Sequence, residues 1–206
     1  MRQALKRGLA SPSGRAKLSG MTGKVMSEET LYRPVHDFLE QRFQDRVKPA
    51  YGDLRFMSAI TARAGGTNTG IWSKPDLCVI ALCRFKYALS WSFDVHGFEV
   101  KTTTGCNPTA VHEALNHTSL VSYSHLVWEH PRWDDRDGQC RDIRDRCSRF
   151  GVGLIVFSDA ANVDSFTVKV AAQRHQPAGD AIEEFIESRL PVDQRHIVLE
   201  WVRELR

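Results

Sequence analysis

The 206-residue chain predicts a mixed α/β fold, on three observations. Segments with helical spacing of apolar residues are interspersed with short β-prone runs. Two of those runs, 77–83 and 151–157, are apolar almost without interruption, as strands covered on both faces are. From Ser27 onward the elements read α, β, β, β, α, β, α, β, β, α, α, which is a mixed sheet flanked by helices and not a strict βαβ alternation.

Composition narrows the class further. The apolar residues suffice for one sizeable core, and no apolar run approaches the roughly 18–20 residues that span a bilayer. The N-terminus has positive charge but no apolar h-region, so a secretory leader is not expected and a cytoplasmic location is. Cys78, Cys83, Cys106, Cys140 and Cys147 are odd in number and lack a C-x-x-C pair. They read as reduced thiols; a zinc set from Cys140, Cys147 and His130 is the minor alternative.

Charge is divided unevenly along the chain. Residues 1–26 hold Arg2, Lys6, Arg7, Arg15, Lys17 and Lys24 and no acid, so this arm is +6 and the rest is −3 of the net +3. Such an arm reads as a flexible, solvated tail or as a contact for a polyanion, whose counterions lysine and arginine displace. Residues 27–206 read as the folded domain.

The elements follow in order. Ser27 is the expected N-cap of the first helix, with Glu28 and Glu29 in its first turn, where the macrodipole favours acids. Leu31, Val35, Phe38 and Leu39 recur at helical spacing; with Leu31 at zero they span about −20° to +80°. Glu28 then falls near +60°, within the apolar stripe, and Glu29 near +160°, outside it. An acid on a buried face needs a partner. Residues 54–64 read as a partly alternating strand, and 77–83 as a buried one. The aromatics of 84–94 (Phe85, Tyr87, Trp91, Phe93) alternate with polar or small residues, as in a β-extension or hairpin arm with one wet face. A strand at 98–102 follows. Asn107-Pro108 starts a helix whose inner side carries Ala110, Val111, Ala114 and Leu115. A short strand at 125–129, a charged helix at 137–150, the buried strand at 151–157, an edge strand at 166–172 and helices at 179–190 and 192–205 complete the order. The histidines at 112, 117, 125 and 130 show no metal spacing and are expected on a polar surface.

Two of the strands carry acids that a buried strand should avoid. Asp76 enters one, directly after Pro75, which cannot donate to a ladder. Glu99 and Lys101 flank Val100 on the other, so both leave the same strand face. If the two strands pair antiparallel, Asp76 and Glu99 converge at one sheet end. Carboxylates placed so can hold Mg²⁺, with the Val100 carbonyl as a further ligand, Glu28 joining from the helix, and Lys101 beside the attacking water. The plainer alternative is a strand-entry acid and a surface ion pair.

Pro75-Asp76 followed by Glu99-Val100-Lys101 resembles the PD-(D/E)XK nuclease signature. The order α-β-β-β-α-β resembles the restriction-endonuclease-like core of that superfamily, here with a C-terminal αββαα extension. Glu-x-x-Leu-Tyr at Glu28 to Tyr32 and Trp-x-x-Pro-Asp at Trp72 to Asp76 are similar to restriction-endonuclease-like proteins of bacterial and phage genomes. The resemblance implies Mg²⁺-dependent phosphodiester hydrolysis, with Mn²⁺ as substitute, by Asp76, Glu99, Lys101 and Glu28. DNA is the substrate it favours, RNA the second, and a homodimer would cut both strands of a duplex. The helix after the ExK strand departs from the exonuclease-type Gln and Tyr pattern, having His112, Glu113, Asn116 and His117. A nucleic-acid-binding module on the same fold, without turnover, is the alternative.

Overall fold

A computed structural model describes residues 27–62 and 74–205. The basic arm at 1–26, together with Trp72, Arg63 and Ala64, lies outside the described residues. Six strands form one sheet in chain order: β1 (Asp53–Ile60), β2 (Leu77–Phe85), β3 (Ser90–Lys101), β4 (Tyr123–Glu129), β5 (Gly153–Phe157) and β6 (Thr167–Val170). β1, β2 and β3 form an antiparallel meander. β4 and β5 add in parallel, and β6 closes the edge antiparallel to β5. Each parallel step takes a helical crossover, α3 (Pro108–Asn116) before β4 and α4 (Gly138–Phe150) before β5.

Alternation along the strands sorts the core into two layers. One face carries Leu77, Val79, Phe98, Val100, Val127 and Ile155 against α1 (Glu29–Phe38). This helix continues through a π-helical turn, Leu39–Phe43, into the short α2 (Gln44–Val47). Leu31, Val35, Phe38 and Leu39 are all within 1 % of full burial, as their spacing requires. The opposite face is covered in two parts. α3 and α4 lie over Leu126, Trp128, Leu154 and Val156. α5 (Gly179–Arg189) and α6 (Val192–Arg203) lie over Ala59, Cys78, Ile80 and Val95. No described helix is long and apolar enough to cross a membrane.

The structure differs from expectation in three places. Ser27 does not cap α1 through its side chain: Glu28 occupies the N-cap, and the Ser27 carbonyl accepts from the Thr30 N–H at 3.0 Å and its hydroxyl at 2.7 Å. Residues 84–94 form a hairpin extension with a wet face, as expected, but it is continuous with the strand expected to begin at 98. β2 runs on to Phe85 and β3 starts at Ser90, making one long hairpin in which Phe93 packs against the α5–α6 layer. At its tip Tyr87, Leu89 and Trp91 are exposed, and Leu89 turns the chain with a φ of 49°. The histidines expected on the surface divide, with His117 and His125 buried.

His125 shows how closely the sheet is fitted. Its ring stacks on Phe98 with centroids 4.6 Å apart, and a Cβ on the neighbouring Gly153 would overlap its Nδ1 while lying 3.1 Å from the Ala172 Cβ. The imidazole is buried and cannot swing aside. Gly153→Ala is therefore expected to destabilise the fold by about 2–3 kcal/mol, read as a lowered midpoint in urea unfolding. Wild-type stability in that variant would mean that the strand spacing relaxes freely.

Candidate active site

Asp76 is held from every side by the backbone geometry of its strand end. Its N–H donates to the Phe98 carbonyl at 2.9 Å, and its carbonyl accepts from the N–H groups of Thr61 and Ala62 at 2.8 and 2.9 Å. The Asp76 peptide thus bridges β1 and β3 just before β2 begins. The pairing of Leu77 with Phe98 sets Asp76 beside Glu99, as the antiparallel reading requires. The Asp76 carboxylate spends both oxygens: Oδ2 accepts the Val100 N–H at 2.8 Å, and Oδ1 accepts the Tyr32 hydroxyl at 2.8 Å. At Val100 the N–H meets the carboxylate, and in a strand the carbonyl of the same residue leaves on the same side.

Lys101 leaves β3 on the same face as Glu99, and acids surround it. Its Nζ lies 2.7 Å from Glu99 Oε1, 2.7 Å from Glu113 Oε2 and 3.5 Å from Glu28 Oε1. His117, one turn beyond Glu113 and at the start of the 3-10 turn that follows α3, places Nε2 at 3.5 Å from Glu99 Oε2. The structure therefore gathers Glu28, Asp76, Glu99 and Lys101 at one end of the sheet, and adds Tyr32, Glu113 and His117. Glu28 reaches in from the N-cap of α1 while Glu29 lies on its exposed side. The turn after β3 passes close over Glu28: a Cβ on Gly105 would lie 3.1 Å from Glu28 Oε1 and 3.0 Å from Thr102 Oγ1.

The three added residues carry weaker sequence signals than the acids on the strands. Tyr32 stands in the Glu-x-x-Leu-Tyr stretch, yet nothing local connects its hydroxyl to an acid 44 residues on. Glu113 and His117 are four residues apart, and His117 falls at about −20° from Ala110, inside the apolar stripe of α3. That position is the one sign that this histidine is buried.

Electrostatically the site is over-supplied with acid. Among the described residues four carboxylates face one ammonium, in a place where the Glu99 and Lys101 side chains are only 11 % exposed. Burial, the largest cause, pushes the Asp76 carboxyl up to about 6, against the opposing hydrogen bonds from Val100 and Tyr32. Glu99 is raised too, by burial and then by Asp76, with Lys101 opposing. Burial works to lower Lys101, but Glu99, Glu113 and Glu28 outweigh it and hold the ammonium charged. His117 is kept neutral, its pKa lowered to about 3 by burial and then by Lys101. Tyr32 is raised by burial and by Asp76, so it stays a donor.

A divalent cation fits this donor chemistry, since crowded, desolvated carboxylates with raised pKa values gain most from a nearby positive charge. Glu28, Asp76 and Glu99 are the residues that would hold it. Among the described residues no three His, Cys, Asp or Glu side chains converge on one point as they stand; Lys101 sits between Glu99, Glu113 and Glu28. The five cysteines are free and buried, and Cys140 Sγ lies 3.5 Å from His130 Nε2.

The raised Asp76 has a consequence for stability with a definite sign. A carboxyl whose folded pKa is near 6, against an ordinary value of 3.8, binds its proton more tightly when folded. Its contribution is complete below about pH 3.8 and is lost as the pH rises through 6. Asp76→Asn removes that titration while keeping an acceptor for Val100 and a partner for Tyr32. In buffer free of divalent cations, the variant should gain on the wild type between pH 4 and 7, by up to about 3 kcal/mol. Urea unfolding of both proteins across that range checks it; a difference independent of pH would mean that Asp76 is not held up by burial.

No family model matches the chain, and no curated protein or solved structure matches it, so the geometry of this acidic sheet end is what bears on function.

Proposed function

We propose that this protein is a divalent-cation-dependent nuclease that hydrolyses phosphodiester bonds, with Mg²⁺ as the cofactor, Mn²⁺ as its substitute, and a restriction-endonuclease-like PD-(D/E)XK core. One observation carries the reading. The antiparallel β2–β3 register puts Asp76 beside Glu99, while Lys101 leaves the same strand face and Glu28 closes the group from α1. An acid, an acid and a lysine on adjoining strand ends are costly in a fold that makes no use of them.

Each residue has a task that its surroundings support. Glu28, Asp76 and Glu99 would hold the cation, with the Val100 carbonyl as a further ligand. A bound cation would supply an activated water and stabilise the charge that develops on the phosphate. Lys101, charged and fixed by three acids, would orient the water and meet the phosphate oxygens. Tyr32 holds Asp76 in one rotamer through its hydroxyl. Glu113 and His117 brace Lys101 and Glu99 from α3. DNA is the favoured substrate and RNA the second. A homodimer would bring two such sites to a duplex.

The same ion pairs around Lys101 also suit a nucleic-acid-binding module without turnover. The experiment that separates the two is incubation of the wild type, Asp76→Ala and Lys101→Ala with duplex DNA, single-stranded DNA and RNA in Mg²⁺ or Mn²⁺. Cleavage by the wild type, reduced about 10²-fold or more in both variants, is the expected result. Binding without cleavage in any condition, or equal cleavage by all three proteins, would sink the catalytic reading. A paired test addresses the helix: Glu28→Gln should lose cleavage to a similar degree, and Glu29→Gln should retain most of it. The reverse would place the wrong acid in the site.

A further inference from the structure

On the other face of the sheet, towards the hairpin end of β3, lies a cavity of about 400 Å³ that the acidic site does not use. It borders Phe43, Val47, Leu54, Val168 and Val170 on its apolar sides, together with the small side chains of Ala81 and Ala172. Its polar groups are few: Ser92, Asp94, His96, Tyr123 and His125, with the exposed Arg46 at the edge. Asp94 is held by Arg174 at 2.9 Å, whereas Arg46 forms no ion pair among the described residues. A volume of this size, mainly apolar and with a small convergent polar set, suits a small ligand.

The polar set is built from stacked rings. His96 and His125, each 6 % exposed, share one hydrogen bond between His96 Nδ1 and His125 Nε2 at 3.2 Å. The His96 ring stacks on Tyr123 at 4.5 Å and 9°, and Phe43 meets both imidazoles edge-on at 5.5 Å. Burial lowers both imidazoles, His96 to about 3, so both are neutral at pH 7. A neutral pair joined by one N–H···N bond leaves one donor and one acceptor on its two outer nitrogens, and the tautomers of the two rings set which is which. His125 Nδ1 abuts Gly153. His96 Nε2 has no partner among the described residues, and His96 lines the cavity.

We infer that this cavity binds a mononucleotide, the base lying among the aromatic rings with its polar edge at His96 and the phosphate at Arg46. Nucleobases are planar, carry donors and acceptors on one edge, and stack on aromatic faces; a guanidinium suits the phosphate. Glu99 and Lys101 project from the opposite face of β3, and His96 to Lys101 spans five residues, roughly 16 Å of strand. The site is thus separate from the acidic one, and its occupancy does not depend on hydrolysis.

The test is calorimetric titration of the full chain with AMP, CMP, adenosine and ribose 5-phosphate, in EDTA so that the acidic site cannot hold a cation. The expected result is one-to-one binding of the mononucleotides with Kd below about 1 mM, adenosine roughly tenfold weaker, and no heat from ribose 5-phosphate. Ser92→Phe, which fills the cavity, should abolish binding while the melting temperature stays within a few degrees of the wild type. Arg46→Ala should erase the preference for AMP over adenosine. If Ser92→Phe lacks a cooperative melt, Arg46→Glu decides, and unchanged AMP affinity there overturns the proposal. No saturable binding of any nucleotide overturns it as well. So does binding that survives Ser92→Phe but is lost in Glu99→Gln, which would put the ligand at the acidic site.

Discussion

The Asp76 carboxylate is the constraint on which the rest of this arrangement depends. It accepts from the Val100 N–H of β3 and from the Tyr32 hydroxyl of α1, each at 2.8 Å. Its own peptide meanwhile bridges β1 and β3. One residue therefore ties three strands and a helix at the same sheet end. Hydrogen bonds to an ionised group are the stronger kind, and a buried acceptor left unmade is costly. Shifting β2 by one residue against β3 would break the bonds to Phe98 and Val100 together, so Asp76 fixes the register that brings Glu99 alongside.

That register is maintained against electrostatic cost. Glu28, Asp76, Glu99 and Glu113 crowd around Lys101, and burial raises Asp76 and Glu99 instead of letting the lysine lower them. A fold selected only for stability would replace some of these acids by apolar or amide side chains. The apolar layers on both sides carry the cost. α1 and the π-helical turn bury Leu31, Val35, Phe38, Leu39 and Phe43, and Phe166 stacks between Phe38 and Phe157 at 4.4 Å from each. The acidic sheet end is held in place by packing that makes no use of its charges.

The order of elements and the acids of the site were legible in the sequence because each rests on a local period. Glu28 separates from Glu29 by helical phase alone, and Glu99 pairs with Lys101 by strand alternation alone. What was not legible depends on partners far away in the chain. Local pattern starts β3 near Phe98, because the run from Arg84 to Asp94 reads as an arm with a wet face. The structure satisfies Asp94 with Arg174, 80 residues later, and the strand runs unbroken from Ser90. Tyr32, Glu113 and His117 escaped for the same reason, since their partners are set by how α1 and α3 pack. His125 escaped because the space for it is provided by Gly153, on another strand.

β3 then divides the molecule by parity. Glu99 and Lys101 leave it towards α3, while His96, Phe98 and Val100 leave it towards α1. Period-two alternation makes the division absolute, because a slip of one residue exchanges the two sets. The charged set belongs at the sheet end, where Asp76 and Glu28 meet it. The ring set belongs inside, where Phe43 and Tyr123 enclose it. Neither could take the other's place: Lys101 beneath Phe43 would be a buried charge without its acids, and Phe98 in the acidic cluster would leave Asp76 and Glu113 without a cation. The backbone bond from Val100 to Asp76 holds the strand in the one phase that satisfies both faces.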